Sequence, residues 1–227
     1  MRVIIGFFAW LIISAPSFAL GIADLSNSDA VSGLKDALTQ GSAAAIGKLG
    51  VTDGFFGNDK VRIPLPDALR NIESALRLMG MQRQTDELVT AMNRAAEQAV
   101  PEAKALLVNA IKNMSVQDAK GILTGGDTAA TEYFRTTTSG QLTEKFLPIV
   151  TEATSKVGLA EKYNQLAGQG AQLGLVDEKQ AKIENYVTQK ALDGLFLMIA
   201  EQEQAIRRDP VGTATGMAQK VFGLLGK

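Results

Sequence analysis

Asn93, Arg94 and Glu97 place an amide, a guanidinium and a carboxylate within one turn of an alanine-rich stretch. On a helix, residues three and four apart share a face, so Asn93 and Glu97 stand one above the other with Arg94 beside them. Such a cluster suits a substrate carboxylate or a cation. The structural alternative pairs Arg94 with an acidic residue of a neighbouring helix, such as Asp193. Small alanines beside a polar pair are what a close helix–helix contact requires, and they favour this alternative. Asp193 itself lies among Leu192, Leu195 and Phe196, and a carboxylate buried there must be paired or have its pKa raised. A raised pKa would suit a general acid, yet a lone carboxylate names neither nucleophile nor leaving group. The expectation is a buried ion pair, whose loss in Asp193→Ala would cost about 3–5 kcal/mol by stranding the partner.

Four further patterns invite chemistry. Gly125-Gly126-Asp127-Thr128 resembles a loop that aims backbone N–H groups at a phosphate. Asp127 argues against that use, because an N-cap carboxylate would take those N–H groups and repel an anion, and the Gly-Lys-Ser/Thr of a Walker motif is missing. Ser32 and Lys35 have the Ser-x-x-Lys spacing of acyl enzymes, without the companion motifs. Arg207 and Arg208, ahead of Asp209-Pro210, would grip an anionic partner. The simpler reading sets two cations at a helix C-terminus, with Glu203 one turn before Arg207 and the proline as the stop. Phe55 and Phe56, flanked by glycines, are either tucked under their loop or exposed as a docking surface; burial is the default for phenylalanine.

Much familiar chemistry is excluded by composition. The 227 residues include no cysteine and no histidine. Thiol nucleophiles, disulfides, Cys/His zinc sites, the Ser-His-Asp triad and Glu-x-x-His di-iron ligands are therefore out of reach. No catalytic residue is assigned, and neither metal nor cofactor is expected. The chain opens with Arg2, an apolar run over residues 3–13, Ser14-Ala15-Pro16, and small residues at Ser17 and Ala19. That order is the pattern of a cleaved export signal, with cleavage expected after Ala19, and the run is too short for a membrane anchor. Removing Arg2 from 23 basic residues leaves 22 against 24 acidic, net −2, which lacks the footprint of a nucleic-acid binder.

The elements that must position these residues are helices. Apolar residues recur at three and four almost throughout, with 46 % of the chain apolar, enough for one core. Helices are expected over 29–49, 67–79 and 85–100, with Pro101 kinking the third or starting another to 114. Ser115 to Asp118 has capping-box spacing, opening a short helix to about 123. Helices through 133–134, over 141–157 with a kink at Pro148, over 160–172, over 177–208 and over 216–225 complete the set. The longest, 177–208, is apolar on more than one stripe and should be central. Residues 51–66 carry too many glycines and prolines for a helix and read as an extended loop or short hairpin around Gly57-Asn58.

Five motifs, in order along the chain, carry a family resemblance. They are Asp53-Gly54-Phe55-Phe56 with Val61-Arg62-Ile63-Pro64-Leu65-Pro66; Asn93-Arg94-Ala95-Ala96-Glu97; Asp118-Ala119-Lys120-Gly121-Ile122-Leu123 with the Gly125 to Phe134 stretch; Leu192-Asp193-Gly194-Leu195-Phe196; and Ile206-Arg207-Arg208-Asp209-Pro210. Together they resemble the bacterial family known as domain of unknown function 4197. The resemblance implies an exported helical protein, mostly of Gram-negative species, and supplies no catalytic residue. The expected molecule is all-α: a signal at 1–19, then a single irregular bundle over 20–227. Its expected role is that of a non-enzymatic periplasmic protein binding an apolar ligand or an envelope protein. The alternative is a hydrolase or lyase using the Asp193 and Glu97 carboxylates, which would need to stand within about 9 Å of each other.

Overall fold

The computed structural model describes residues 27–173, 181–214 and 216–225; the expected export signal lies outside them. Among the described residues there are helices and turns and no strand. Helix α1 is Asn27–Leu49, α2 Asp67–Arg70, α3 Glu73–Leu78, α4 Gln82–Ala99, α5 Ala103–Asn113, α6 Val116–Thr124, α7 Ala129–Thr154, α8 Gly158–Gln172, α9 Ile183–Arg208, α10 Pro210–Thr213 and α11 Gly216–Leu225.

Local chemistry accounts for several of the boundaries. The Ser115 hydroxyl accepts from the Asp118 N–H at 3.1 Å while the Asp118 carboxylate accepts from the Ser115 N–H at 3.0 Å, the reciprocal capping box that opens α6. Hydrogen bonds from Ser115 hold the Asp118 carboxyl below the usual carboxylate range. At the end of α3, Gly80 adopts a φ of 75°. Its N–H donates to the Arg77 carbonyl and that of Met81 to the Leu76 carbonyl, the left-handed stop that favours glycine. Pro101 neither simply kinks nor simply starts a helix. It sits in a 3-10 turn, Val100–Glu102, that joins α4 to α5, where a missing N–H is easily tolerated.

Three sequence expectations change. The 67–79 stretch divides at Asn71 and Ile72 into α2 and α3. Residues 129–154 form one helix, undivided at Gly140 and Pro148. Pro148 faces solvent, so water can serve the Glu144 carbonyl it leaves unbonded. The 51–66 segment is a chain of turns rather than a hairpin, with Gly57 donating to the Asp53 carbonyl and Arg62 to the Asn58 carbonyl. Residues 177–180 of the expected long helix lie outside the described residues.

Helix α9 is central, packing against α1, α4, α7, α8, α10 and α11. It buries Ile183, Val187, Leu192, Leu195, Phe196 and Ile199 on several faces, which matches its broad apolar pattern. Helix α7 presents every fourth residue from Ala130 to Thr154 to the core. The buried threonines in that row, Thr138 and Thr154, return their hydroxyls to the carbonyls four residues earlier, at 2.6 and 2.9 Å, so no polar group is stranded. Nearly all the buried apolar residues form one contiguous cluster running from Leu34 to Phe222.

Candidate functional site

The Asn93–Arg94–Glu97 cluster meets the 51–66 loop. Asn93 is fully buried; its Oδ1 accepts from the Ile63 N–H at 2.8 Å and its Nδ2 donates to the Ile63 carbonyl at 2.9 Å. The amide thus serves both backbone polar groups of one residue, as a neighbouring antiparallel strand would. One turn on, Glu97 Oε1 accepts from the Phe55 and Phe56 N–H groups at 3.1 and 3.0 Å. Its Oε2 accepts from Arg94 Nη1 at 2.7 Å, and Arg94 Nη2 reaches Asp53 Oδ1 at 2.7 Å. Hydrogen bonds to Glu97 and then Asp53 push the Arg94 guanidinium further up its range, so it is a fixed cation. The partner of Arg94 is therefore Glu97 with Asp53, and not Asp193. Asp53 holds a φ of 66°, a left-handed conformation that aspartate tolerates better than most residues. The expectation missed Asp53 because its contact depends on a loop turning back over α4.

This clamp divides the phenylalanine pair. Phe55 is fully buried against Gly194 of α9, where an added Cβ would stand 2.7 Å from the ring. Phe56 is half-buried, with the guanidinium carbons of Arg62 and Arg94 at 4.4 and 5.4 Å from its ring centre, within cation–π range. Arg62 is exposed and makes no ion pair among the described residues. Beside it runs a groove of about 390 Å³, lined by Phe56, Arg62, Pro64, Arg70, Arg77 and Val89 among others.

A second clamp accounts for Arg207. Glu203 Oε1 accepts from the Ala130 N–H at 3.0 Å, and Oε2 accepts from the Thr131 N–H and hydroxyl, both at 2.9 Å. Arg207 donates to Glu203 from Nε and Nη2 at 3.1 and 2.8 Å and to the Ile122 carbonyl at 2.9 Å. Its guanidinium also lies 5.6 Å from the Phe222 ring centre. Arg207 is therefore committed to the interior, while Arg208 is exposed. The first N–H groups of α7 are served by a carboxylate from α9, some 70 residues away in sequence, and not by Asp127; the N-cap position is Thr128.

Asp193 departs from expectation. Its side chain is 45 % exposed, accepts from Gln189 Nε2 at 2.9 Å and has only a long contact of 3.9 Å with Arg135. The apolar residues beside it in sequence point to the core, while Asp193 falls on the outer face of α9. The premise for a large loss in Asp193→Ala is gone; the contact is worth at most about 1 kcal/mol. Asp193 lines a cleft of about 860 Å³ between α9, α7 and α2 that does not include Glu97. The two carboxylates named for an enzyme thus serve different places: Glu97 beneath the loop, Asp193 at an open cleft. A third gap, among Leu38, Phe134, Ile206 and Phe222, holds only about 20 Å³, room for about one water.

Tyr186 ties the loop to α9 by donating to the Pro64 carbonyl at 3.1 Å. Burial, aided by Asp67, pushes its phenol up to about 12. Burial raises Tyr133 and Tyr163 as well, and these three are all the tyrosines of the chain. A folded state that holds phenol protons more tightly than the unfolded state gains stability that is whole below the ordinary value near 10. That stability is lost as pH rises through the folded values. The absorbance titration at 295 nm is therefore expected to show no tyrosine ionising at its ordinary pKa while the chain is folded. Urea midpoints are expected to fall between about pH 10 and 12. A midpoint flat across that window would contradict the burial of Tyr186.

A family model described as a protein of unknown function (DUF4197) matches residues 24–223. No curated protein and no solved structure matches the chain.

Proposed function

The chain belongs to the DUF4197 family, whose description assigns no activity, and we propose from its surface that it is an exported, non-enzymatic binding protein of the periplasm. Its docking face is the groove over the clamped loop, and its partner is an envelope protein presenting a carboxylate-bearing segment. The observation that carries this reading is the state of Phe56. Its backbone is fixed from beneath by Glu97 at 3.0 Å, while its ring stays half-exposed under two guanidinium groups. An aromatic ring on a rigid backbone beside arginine is the composition of an interface anchor. Arg62, with no ion pair among the described residues, leaves a cation to meet a carboxylate of the partner. The gap of about 20 Å³ in the apolar core offers little room for an apolar small molecule, which favours the protein partner.

Export rests on the residue pattern at 1–19, and the same experiment tests it. A photoreactive amino acid at position 56, expressed in a Gram-negative host with its own envelope, is expected to give one discrete adduct. The adduct is expected to be lost with Arg62→Glu and absent when the probe stands at the exposed Lys162 of α8. The recovered protein is expected to begin at Leu20. Equal adducts from positions 56 and 162 would remove the docking reading, and protein still beginning at Met1 would remove export.

A further inference from the structure

The cleft between α9, α7 and α2 has a volume of about 860 Å³, within the size range of ligand sites. Its floor is a row on α9: Asn185, Gln189 and Asp193, spaced four apart and so aligned along one face. The side-chain amide of Asn185 makes no hydrogen bond among the described residues. Beside the row, Thr188 is 2 % exposed and its hydroxyl has no hydrogen-bond partner, an omission that buried hydroxyls rarely show. Lys190 has no ion pair among the described residues and lies 5.8 Å from the Tyr186 ring centre. Arg70 on the opposite wall is matched by Asp67. The cleft thus offers amides, one unmatched cation and one weakly held carboxylate, with no net charge to favour a polyanion.

A carboxamide presents a donor and an acceptor together, the complement of a peptide unit. Four helical residues rise about 6 Å, and two residues of an extended chain rise about 6.6 Å. Successive amides on this row therefore keep step with alternate peptide units of an extended chain. We propose that the cleft binds an extended peptide segment. Asn185 and Gln189 read its backbone, while Lys190 and Asp193 receive one acidic and one basic side chain.

This cleft is built on α9 and is distinct from the Phe56 groove, although the two concavities meet at Pro64 and Arg70. Two blocked pentapeptides, Ac-Ala-Glu-Ala-Lys-Ala-amide and its Lys/Glu-exchanged isomer, are titrated into the ¹⁵N-labelled protein as recovered from cells. One isomer is expected to shift the signals of Thr143, Asn185, Gln189 and Asp193. Gln189→Ala, at an exposed position, and N-methylation of the central peptide amide are each expected to weaken binding by about threefold to tenfold. Arg62→Glu, which is expected to abolish the Phe56 adduct, is expected to leave this affinity unchanged. Three results would overturn the proposal: neither isomer moving these signals, the N-methylated peptide binding as well as its parent, or chitotriose moving them in place of the peptides.

Discussion

Glu203→Ala is expected to unfold about 3–5 kcal/mol more readily than the parent chain, with a melting temperature lower by roughly 6–20 °C. Glu203 and Arg207 keep only 5 % and 14 % of their side chains in water. Truncation strands a guanidinium in the interior and leaves the Ala130 and Thr131 N–H groups at the buried start of α7 without an acceptor. The carboxylate also sits where the α7 dipole favours negative charge, so its removal loses a second favourable interaction. Urea unfolding with an unchanged slope is the measurement. Arg207→Ala is expected to be nearly as damaging, since it leaves Glu203 buried without its cation, and the double variant should cost less than the two losses added together. A loss below about 1 kcal/mol in Glu203→Ala would show that the clamp does not hold α7 to α9.

Glu97→Ala is expected to cost about 2–4 kcal/mol, most of it from the unserved N–H groups of Phe55 and Phe56. The smaller figure follows from Arg94, which is 33 % exposed and still has Asp53, so water takes over much of what the guanidinium loses. Glu97→Gln keeps one acceptor for the loop and should fall between the parent and the alanine variant. The same substitution separates structure from docking: a loosened loop lets Phe56 sample other positions. The position-56 adduct is then expected to weaken under conditions where circular dichroism still reports a folded chain. An adduct of full yield in a folded Glu97→Ala chain would mean that the clamp does not set the docking face.

The two clamps also account for the motifs that carry the family resemblance. Asp53, Phe55 and Phe56 join Arg94, Glu97 and Gly194 in one assembly, while Ile122, Ala130 and Thr131 join Arg207 in the other, with Glu203 between them. The residues that looked most able to do chemistry are mostly those that fasten loops and helix ends to α4 and α9. Asn93, Glu97 and Arg207 were legible as polar residues on helical faces because spacing alone puts them there. Their partners were not, because a backbone N–H of residue 55 or 130 has no signature in a sequence; every residue but proline carries one. Arg62, the cation left at the surface, was visible only as part of a motif.

By itself the sequence determined the helical class, the capping box at Ser115, the non-helical 51–66 segment and the central position of the long C-terminal helix. Each follows from interactions within a few residues or from apolar periodicity along one element. Only the tertiary structure decided that Asp193 faces water, that Arg94 turns to Asp53 and Glu97, that Phe55 is buried while Phe56 is not, and that Glu203 opens α7. Those outcomes depend on which carboxylate meets which N–H after distant segments pack. Burial sets the cost of every unmatched polar group, and burial is a property of the assembled core.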